Sequence, residues 1–350
     1  MSDPIVDFTL KVLGLTDKNV THQLLFGQAS SRQYFRIKCL PSSTTYVVMK
    51  LPEGFASKAE EITKIADGFV LHEPAFLNVQ HYLESLDIRV PKVLGIDASQ
   101  GLILLEDLGD KTLEACIQNA DGEFKTFYYK KAIDALIKLQ VQTAVHPDKT
   151  CVAFHKHFTF DLLKWELDHF REFGLEDRLG LKLTETESTL FNKNADDICR
   201  HIASLPQGFV HRDFQSRNLM LAGYEFCLID FQDALMGPVL YDLVALLRDS
   251  YVTFTAEETR RLINYYAESL PQGHPYAGRL SEVNRDFHLI TLHRKLKDTG
   301  RFQFIATVKN NPSFLPHVPL SLAYVRHAFL ALPEYDALQK MIAHHLKELE

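Results

Sequence analysis

Residues 22–27, 32–40 and 44–51 are short runs rich in β-branched and aromatic side chains, separated by turn-like stretches at 28–31 and 41–43. That pattern predicts strands. The period then changes. Phe76, Leu77, Val79, Tyr82, Leu83 and Leu86 fall near helical spacing, which predicts a helix that Pro91 stops. Residues 92–109 predict two more strands around a Ser99-Gln100-Gly101 turn. Beyond Gly109, residues 126–144 and 159–175 are amphipathic at helical spacing. A short β island occupies residues 209–234, and helices are expected from Tyr241 to the last residues. The expected class is α+β: a small β-rich N-terminal lobe (1–108), a hinge at 106–109, and a larger helical C-terminal lobe (109–350) with a hairpin set into it. Clefts between such lobes favour ligand sites.

Composition adds boundaries. A chain of 350 residues is more than one core usually organises, which agrees with two lobes. Its 46% hydrophobic and 24% charged residues are ordinary for a globular protein. A formal net charge of −7 argues against a general nucleic-acid binder. No apolar run approaches the roughly 20 residues of a membrane span. Residues 1–15 lack a basic start followed by an apolar core, so no export signal is read there. The five cysteines, Cys39, Cys116, Cys151, Cys199 and Cys227, are scattered without a Cys-x-x-Cys pair, which predicts reduced, buried thiols. A cytoplasmic protein with no nucleic-acid, membrane or obligate protein partner is expected.

The β island carries the candidate chemistry. Residues 218–221 and 226–230 are strand-like, and residues 222–225 turn the chain between them. With the turn centred near Gly223-Tyr224, Asn218 and Asp230 fall within about one residue of facing each other. An amide oxygen and a carboxylate then converge at the open end, a donor set suited to magnesium, which takes few protein ligands before phosphates and water complete its shell. Asp213 lies in the loop before the hairpin, placed to orient a hydroxyl nucleophile or accept its proton. His211-Arg212-Asp213 with Asn218 fits the His-Arg-Asp-x-x-x-x-Asn catalytic loop of phosphoryl transfer, and Asp230-Phe231 stands where Asp-Phe-Gly begins, with Gln232 third. Taken singly, each of these residues is an ordinary turn feature.

The first lobe supplies candidate nucleotide contacts. Lys50 ends a β-branched strand, where a lysine for the α/β-phosphates is needed, and Glu73 opens the following helix, where its partner carboxylate is needed. Glu60 and Glu61 are rivals to Glu73, and a solvated strand-end lysine is the plainer reading of Lys50. Ser30 and Ser31 offer hydroxyls and backbone N–H groups to phosphate oxygens, although the loop has one glycine, Gly27, and lacks Gly-x-Gly-x-x-Gly. Hinge backbone around Glu106 and Leu108 is the expected adenine contact. ATP and Mg2+ are therefore the expected cofactors.

Residues 29–36, 89–97, 102–110, 209–220, 228–251 and 293–302 resemble the aminoglycoside phosphotransferase-like small-molecule kinases, and most nearly the bacterial cell-wall sugar kinases that phosphorylate N-acetylmuramate and N-acetylglucosamine at the anomeric hydroxyl. The resemblance implies a bilobal protein-kinase-like fold, with Asp213 as catalytic base, Asn218 and Asp230 as magnesium ligands, and Asp242 steadying the catalytic loop that includes His211. Lys50 departs from the sugar kinases, where an acidic residue is expected, and agrees with the wider family. The last fifty residues match no motif. Only eleven residues separate Asp230 from Asp242, with no Ala-Pro-Glu, so there is little platform for a peptide and a small-molecule acceptor is favoured. An aminoglycoside or choline-type kinase, and a catalytically idle nucleotide-binding protein, are the alternatives.

Two stretches bear on the acceptor. Arg294, Lys297 and Arg301 share a helical face that suits an anionic acceptor, unless it is a solvated stripe or Thr299-Gly300 breaks the helix first. Phe160, Trp165 and Phe170 with Glu166 and Asp168 form a wall or a plain aromatic core. The resemblance makes Glu166 a candidate acceptor contact.

Overall fold

The computed structural model describes residues 3–16, 20–25, 32–40, 44–51, 65, 68–118, 120 and 122–349. It opens on a helix that strand patterning alone does not reveal, α1 (Pro4–Leu13). Asp3 caps it by accepting from the Ile5 and Val6 N–H groups, Pro4 sits in its first turn, and Gly14 at φ 65° ends it. This is the usual start-and-stop chemistry of a short helix.

The expected strands follow: β1 (Val20–Leu24), β2 (Gln33–Cys39) and β3 (Thr44–Lys50), then, after α2 (Ala75–Ser85), β4 (Val93–Asp97) and β5 (Leu102–Glu106). They form one antiparallel sheet in the order β1-β2-β3-β5-β4, with Tyr46 opposite Glu106 and Lys50 opposite Leu102. Alternation decides the layers. Val48, Leu102 and Leu104 face α1 with Ile37, Ile5 and Phe8. Met49, Ile103 and Leu105 join the main core with Leu77, Val79 and Leu83 of α2. The helix α2 ends at Ser85, well before Pro91, and Asp87 beyond it takes a left-handed φ of 56°.

The linker beyond β5 is tied back to the first lobe. The Arg36 guanidinium on β2 spans Asp107 (Nε–Oδ2 2.7 Å) and Asp110 (Nη2–Oδ1 2.8 Å), and donates to the Gly109 carbonyl at 3.1 Å. The helical lobe then runs α3 (Leu113–Ile117), α4 (Gly122–Val145), α5 (Phe160–His169), a π-helical segment Phe170–Asp177, and α6 (Glu185–Ser204). Four short strands follow: β6 (Gln207–Val210), β7 (Leu219–Ala222), β8 (Glu225–Leu228) and β9 (Leu235–Pro238). The remaining helices are α7 (Tyr241–Leu247), α8 (Ala256–Ser269), α9 (Leu280–Thr307), α10 (Val318–Ala331) and α11 (Asp336–His345). Strand β6 pairs with β9, and β7 with β8. Residues 318–346, which matched no motif, bury Val318, Leu322, Val325, Leu338 and Ile342 in the main core. Among the described residues no helix is long and apolar enough to cross a membrane. Cys39, Cys151, Cys199 and Cys227 are buried and Cys116 is half-buried, and none of the five forms a disulfide.

Helix α9 runs unbroken through Thr299-Gly300, so the alternative of a break before Arg301 does not hold. The glycine serves a crossing instead. A Cβ on Gly300 would lie 2.7 Å from the Phe170 Cα and 2.9 Å from the His169 carbonyl oxygen. Gly300→Ala is therefore expected to destabilise the protein by about 1–3 kcal/mol despite alanine's better helix propensity. A shift in the urea midpoint checks it, and an unchanged or raised midpoint would contradict the crossing argument.

Candidate active site

The candidate catalytic loop begins where β6 ends. The chain leaves the strand at His211, and Arg212 takes a φ of 78°, so two backbone N–H groups turn away from any sheet partner. Asp242, in the first turn of α7, accepts both: His211 N–H to Oδ2 at 2.7 Å and Arg212 N–H to Oδ1 at 2.9 Å. Buried donors need such partners. Burial pulls the His211 imidazole down to about 4, so it is neutral, and it meets Phe214 edge-on.

Asp242 is itself 1% exposed, and burial pushes its carboxyl from 3.8 up to about 7 against the downward pull of the two N–H donors. The sign follows from linkage. An acid raised in the folded state contributes stability that is fully present below about pH 4 and is lost as pH rises through about 7. Asp242→Asn keeps an acceptor oxygen and removes this titration. Its stability, measured by urea midpoint between pH 4 and 8, is expected to decline less with pH than that of the unmodified protein; parallel curves would contradict the assignment.

The loop closes on itself next. Gln215 N–H donates to the Asp213 carbonyl at 2.8 Å, and Asn218 N–H to the Gln215 carbonyl at 2.9 Å. The Asn218 side-chain Nδ2 donates to the Asp213 carbonyl at 2.8 Å, which commits its amide nitrogen to the loop and leaves Oδ1 as the candidate ligand atom. A second buried carboxylate grips this end. Asp249 accepts from Ser216 N–H at 2.8 Å and Tyr251 N–H at 3.0 Å. The sequence reading missed Asp249. It lies two residues beyond Leu247, the end of α7, so helical spacing from Asp242 does not reach it.

The hairpin register is the expected one. Leu219 faces Leu228 across the Gly223-Tyr224 turn, and Ile229 N–H donates to the Asn218 carbonyl at 3.1 Å. Asp230 follows at φ 65°, and its Oδ1 accepts from Gln232 Nε2 at 2.9 Å. Burial raises the Asp230 carboxyl, and the negative charge of Asp213 raises it further. Phe231 beside it is buried and stacks on Phe76 of α2 at 5.1 Å. An amide oxygen and a desolvated carboxylate facing a second carboxylate make a donor set that fits a hard divalent cation. Among the described residues there is no cluster of three His, Cys, Asp or Glu side chains able to hold a metal alone.

The first-lobe candidates are less closely joined. Lys50 is exposed at the end of β3. Glu73 precedes α2 rather than lying in it, and turns to Asn78 Nδ2 at 3.2 Å and His81 Nδ1 at 3.5 Å. No Lys50–Glu73 ion pair forms among the described residues, because the helix begins two residues late and its own side chains take the carboxylate. The Glu106 carboxylate is held by Arg89, with Nη2 to Oε2 at 2.7 Å, and by the Lys92 N–H at 2.7 Å. Its side chain is thus structural, while the linker backbone follows directly. Among the described residues no backbone carbonyl takes the Leu108 N–H. Ser30, Ser31, Glu60 and Glu61 lie outside the described residues.

Behind Asp213 lies a cavity of 170 Å³ between α5 and α9. Trp165, Glu166 and His169 line it from α5, Asp213 and Gln215 from the loop, and Arg294, Lys297, Asp298 and Arg301 from α9. The cationic face read from the sequence is therefore a cavity wall, not a solvated stripe. Trp165 stacks on His169 at 5.2 Å. The Glu166 carboxylate, 1% exposed, lies 3.8 Å from Arg212 Nη2 and 3.8 Å from His293 Nδ1. Arg294, also 1% exposed, donates to the Arg212 carbonyl at 3.1 Å and reaches Asp213 Oδ1 at 3.7 Å. Asp213 remains 43% exposed, open to the cleft. Asp298 and Lys295 were not foreseen. Burial opposes the Asp298 charge, but Lys295 at 2.8 Å, with Lys297 and Arg294, outweighs it and holds the carboxyl well below the usual range.

A β-rich lobe, a helical lobe and a catalytic-type loop set before a short hairpin define a protein-kinase-like fold. The chain belongs to the phosphotransferase enzyme family, whose model matches residues 22–277. It is 30% identical over 271 residues to an N-acetylmuramate/N-acetylglucosamine kinase of Pseudomonas putida, covering 77% of this chain and 76% of the relative. It is 31% identical over 271 residues to a protein of the same name from Neisseria meningitidis, covering 76% and 78%. Among solved structures, a choline kinase from Cryptosporidium parvum matches with a TM-score of 0.60 at 10% identity, covering 99% of this chain and 100% of that one. An ADP-bound aminoglycoside phosphotransferase matches with a TM-score of 0.58 at 14% identity, covering 95% and 98%. These two likenesses bear on the fold. The chain is a phosphotransferase, and the bilobal α+β expectation holds.

Proposed function

We propose that the protein transfers the γ-phosphoryl group of ATP, with Mg2+, to a hydroxyl of a cell-wall amino sugar, N-acetylmuramate or N-acetylglucosamine. One observation carries this reading: Asp213 belongs both to the loop that faces Asp230 and to the wall of the cavity between α5 and α9. The names of the relatives at 30% and 31% identity supply the acceptor class. In this reading Asp213 orients the acceptor hydroxyl and takes its proton, and Asn218 Oδ1 with Asp230 holds the magnesium. The metal supplies neutralisation of phosphate charge. Asp242 and the neutral His211 keep Asp213 and its backbone in place. Lys50, Ser30, Ser31 and the backbone at Glu106 and Leu108 are the nucleotide contacts, with Glu73 a weaker candidate. Glu166, Arg294 and Lys297 form the acceptor side.

A polycationic aminoglycoside or a choline-type acceptor would meet Lys297 and Arg301 on the cavity wall, which disfavours both. The test is ADP release with the two amino sugars, a panel of aminoglycosides, choline and ethanolamine. Turnover with the amino sugars is expected. Turnover confined to the amines, or ATP binding with no turnover on any acceptor, would overturn the reading.

A further inference from the structure

Lys295 and Asp298 both belong to α9, yet only Asp298 lines the cavity. Lys295 is 1% exposed, and its ammonium donates to Asp298 Oδ2 at 2.8 Å and to Ser250 Oγ at 3.4 Å. Replacing such a buried pair with apolar residues is often neutral or stabilising, so stability alone does not account for it. What the pair achieves is a fixed, ionised carboxylate on the cavity wall, with 12% of its side chain exposed. Burial opposes the Asp298 charge, and Lys295, Lys297 and Arg294 outweigh it. An ionised carboxylate is purely an acceptor, with about four lone-pair positions. Lys295 occupies one of them on Oδ2. Lys297 Nζ lies 3.5 Å from Oδ1, too long for a strong hydrogen bond. Oδ1 therefore keeps acceptor capacity for a donor that enters the cavity.

We propose that Asp298 binds the acceptor by taking a hydrogen bond from a hydroxyl other than the one phosphorylated, so that the acceptor class is a polyhydroxyl ring rather than a single-hydroxyl compound. Lys295 is the positioning residue that holds the carboxylate. This rests on the phosphotransferase reading above and adds the feature by which the acceptor is chosen. Asp213, on the same cavity wall, serves the reacting hydroxyl. N-acetylmuramate and N-acetylglucosamine share further hydroxyls, so one contact serves both. Trp165, also lining the cavity, offers an apolar face to a sugar ring. A site built to bind a hydroxyl rejects the analogue that lacks it, because the desolvated acceptor atom then loses its donor. The competing role for Asp298 is counter-ion to Lys295, Lys297 and Arg294, which would serve every acceptor alike.

The experiment measures kcat/KM by ADP release in the intact protein with ATP and Mg2+. The acceptors are N-acetylglucosamine and each of its single-deoxy analogues, glucose with its own deoxy series, choline and ethanolamine. In the unmodified protein, one analogue that keeps the reacting hydroxyl is expected to fall about ten- to a hundred-fold below its parent, the usual weight of a hydrogen bond to a charged group. Asp298→Asn is expected to shrink that one ratio to a few-fold, mainly through KM for the parent, and to leave the other ratios in place. The double variant Lys295→Met with Asp298→Ala leaves no buried ammonium unpaired and is expected to erase the ratio. Melting curves check that each variant folds. An unchanged ratio, or an equal loss for every acceptor, makes Asp298 a counter-ion and overturns the proposal. An unmodified protein that treats all these analogues alike overturns it without any variant. If glucose is phosphorylated and the N-acetyl sugar is not, with the single-hydroxyl loss still present, the amino-sugar reading falls and the Asp298 contact stands. Turnover confined to choline or ethanolamine, or absent with every acceptor, overturns both.

Discussion

Asp213→Ala is expected to lower kcat by about a hundred- to ten-thousand-fold, the usual contribution of a positioned general base. The protein should stay folded, because the Asp213 side chain is 43% exposed and supports no part of the core. The loop's internal bonds use the Asp213 carbonyl, not its carboxylate, so alanine leaves them intact. Nucleotide affinity is expected to change little. The removed carboxylate also repels Asp230, so its loss relieves strain in the metal-free site. Single-turnover kinetics with an acceptor, beside nucleotide binding by calorimetry, separate the two effects. Retained turnover would remove Asp213 from the chemistry, and lost nucleotide binding would make it a ligand rather than a base.

Asp230→Asn is expected to abolish magnesium-dependent transfer while raising the melting temperature of the metal-free protein. The carboxylate is half-buried and feels the negative charge of Asp213, and both effects push its pKa up. Each is a standing cost in the folded state that a cation offsets in use. An amide of the same shape still accepts from Gln232 and carries no charge. Relief of about 1 kcal/mol corresponds to about 1–2 °C in a chain of this length. Such a gain in stability with a loss of activity is the signature of a functional site held against its own folding preference. Adding Mg2+ and ATP should raise the melting temperature of the unmodified protein and leave that of the variant nearly unmoved. A variant that melts lower, or that keeps its magnesium response, would contradict the metal role.

What the sequence made legible was local. Asn218 and Asp230 could be placed opposite each other because a tight turn at Gly223-Tyr224 fixes register over a few residues. Sheet faces followed from alternation, as at Val48 and Met49. The cavity between α5 and α9 needed more than sequence spacing. Glu166 and Lys297 reach it from helices far apart in the chain, and nothing in either helix names its neighbour. Gly300 looked like a breaker and is a contact surface, since a glycine in a helix signals flexibility or close approach with the same letter. Asp249 was invisible because its partners are backbone N–H groups, which every residue has. The helix α1 was legible in principle, with Asp3-Pro4 at its start and Gly14 at its end, but those residues were read only for an export signal. The Lys50–Glu73 pair was expected from chemistry alone, and the late start of α2 leaves Glu73 with Asn78 and His81.

The central claim is that one carboxylate, Asp213, joins a metal-nucleotide site to an acceptor cavity. The most direct measurement is phosphorus NMR of the protein incubated with ATP, Mg2+ and N-acetylmuramate. The account predicts a new sugar-phosphate resonance growing in step with ADP, absent without magnesium and absent with Asp213→Ala. ADP accompanied only by inorganic phosphate, or a sugar phosphate formed equally well by Asp213→Ala, would contradict it.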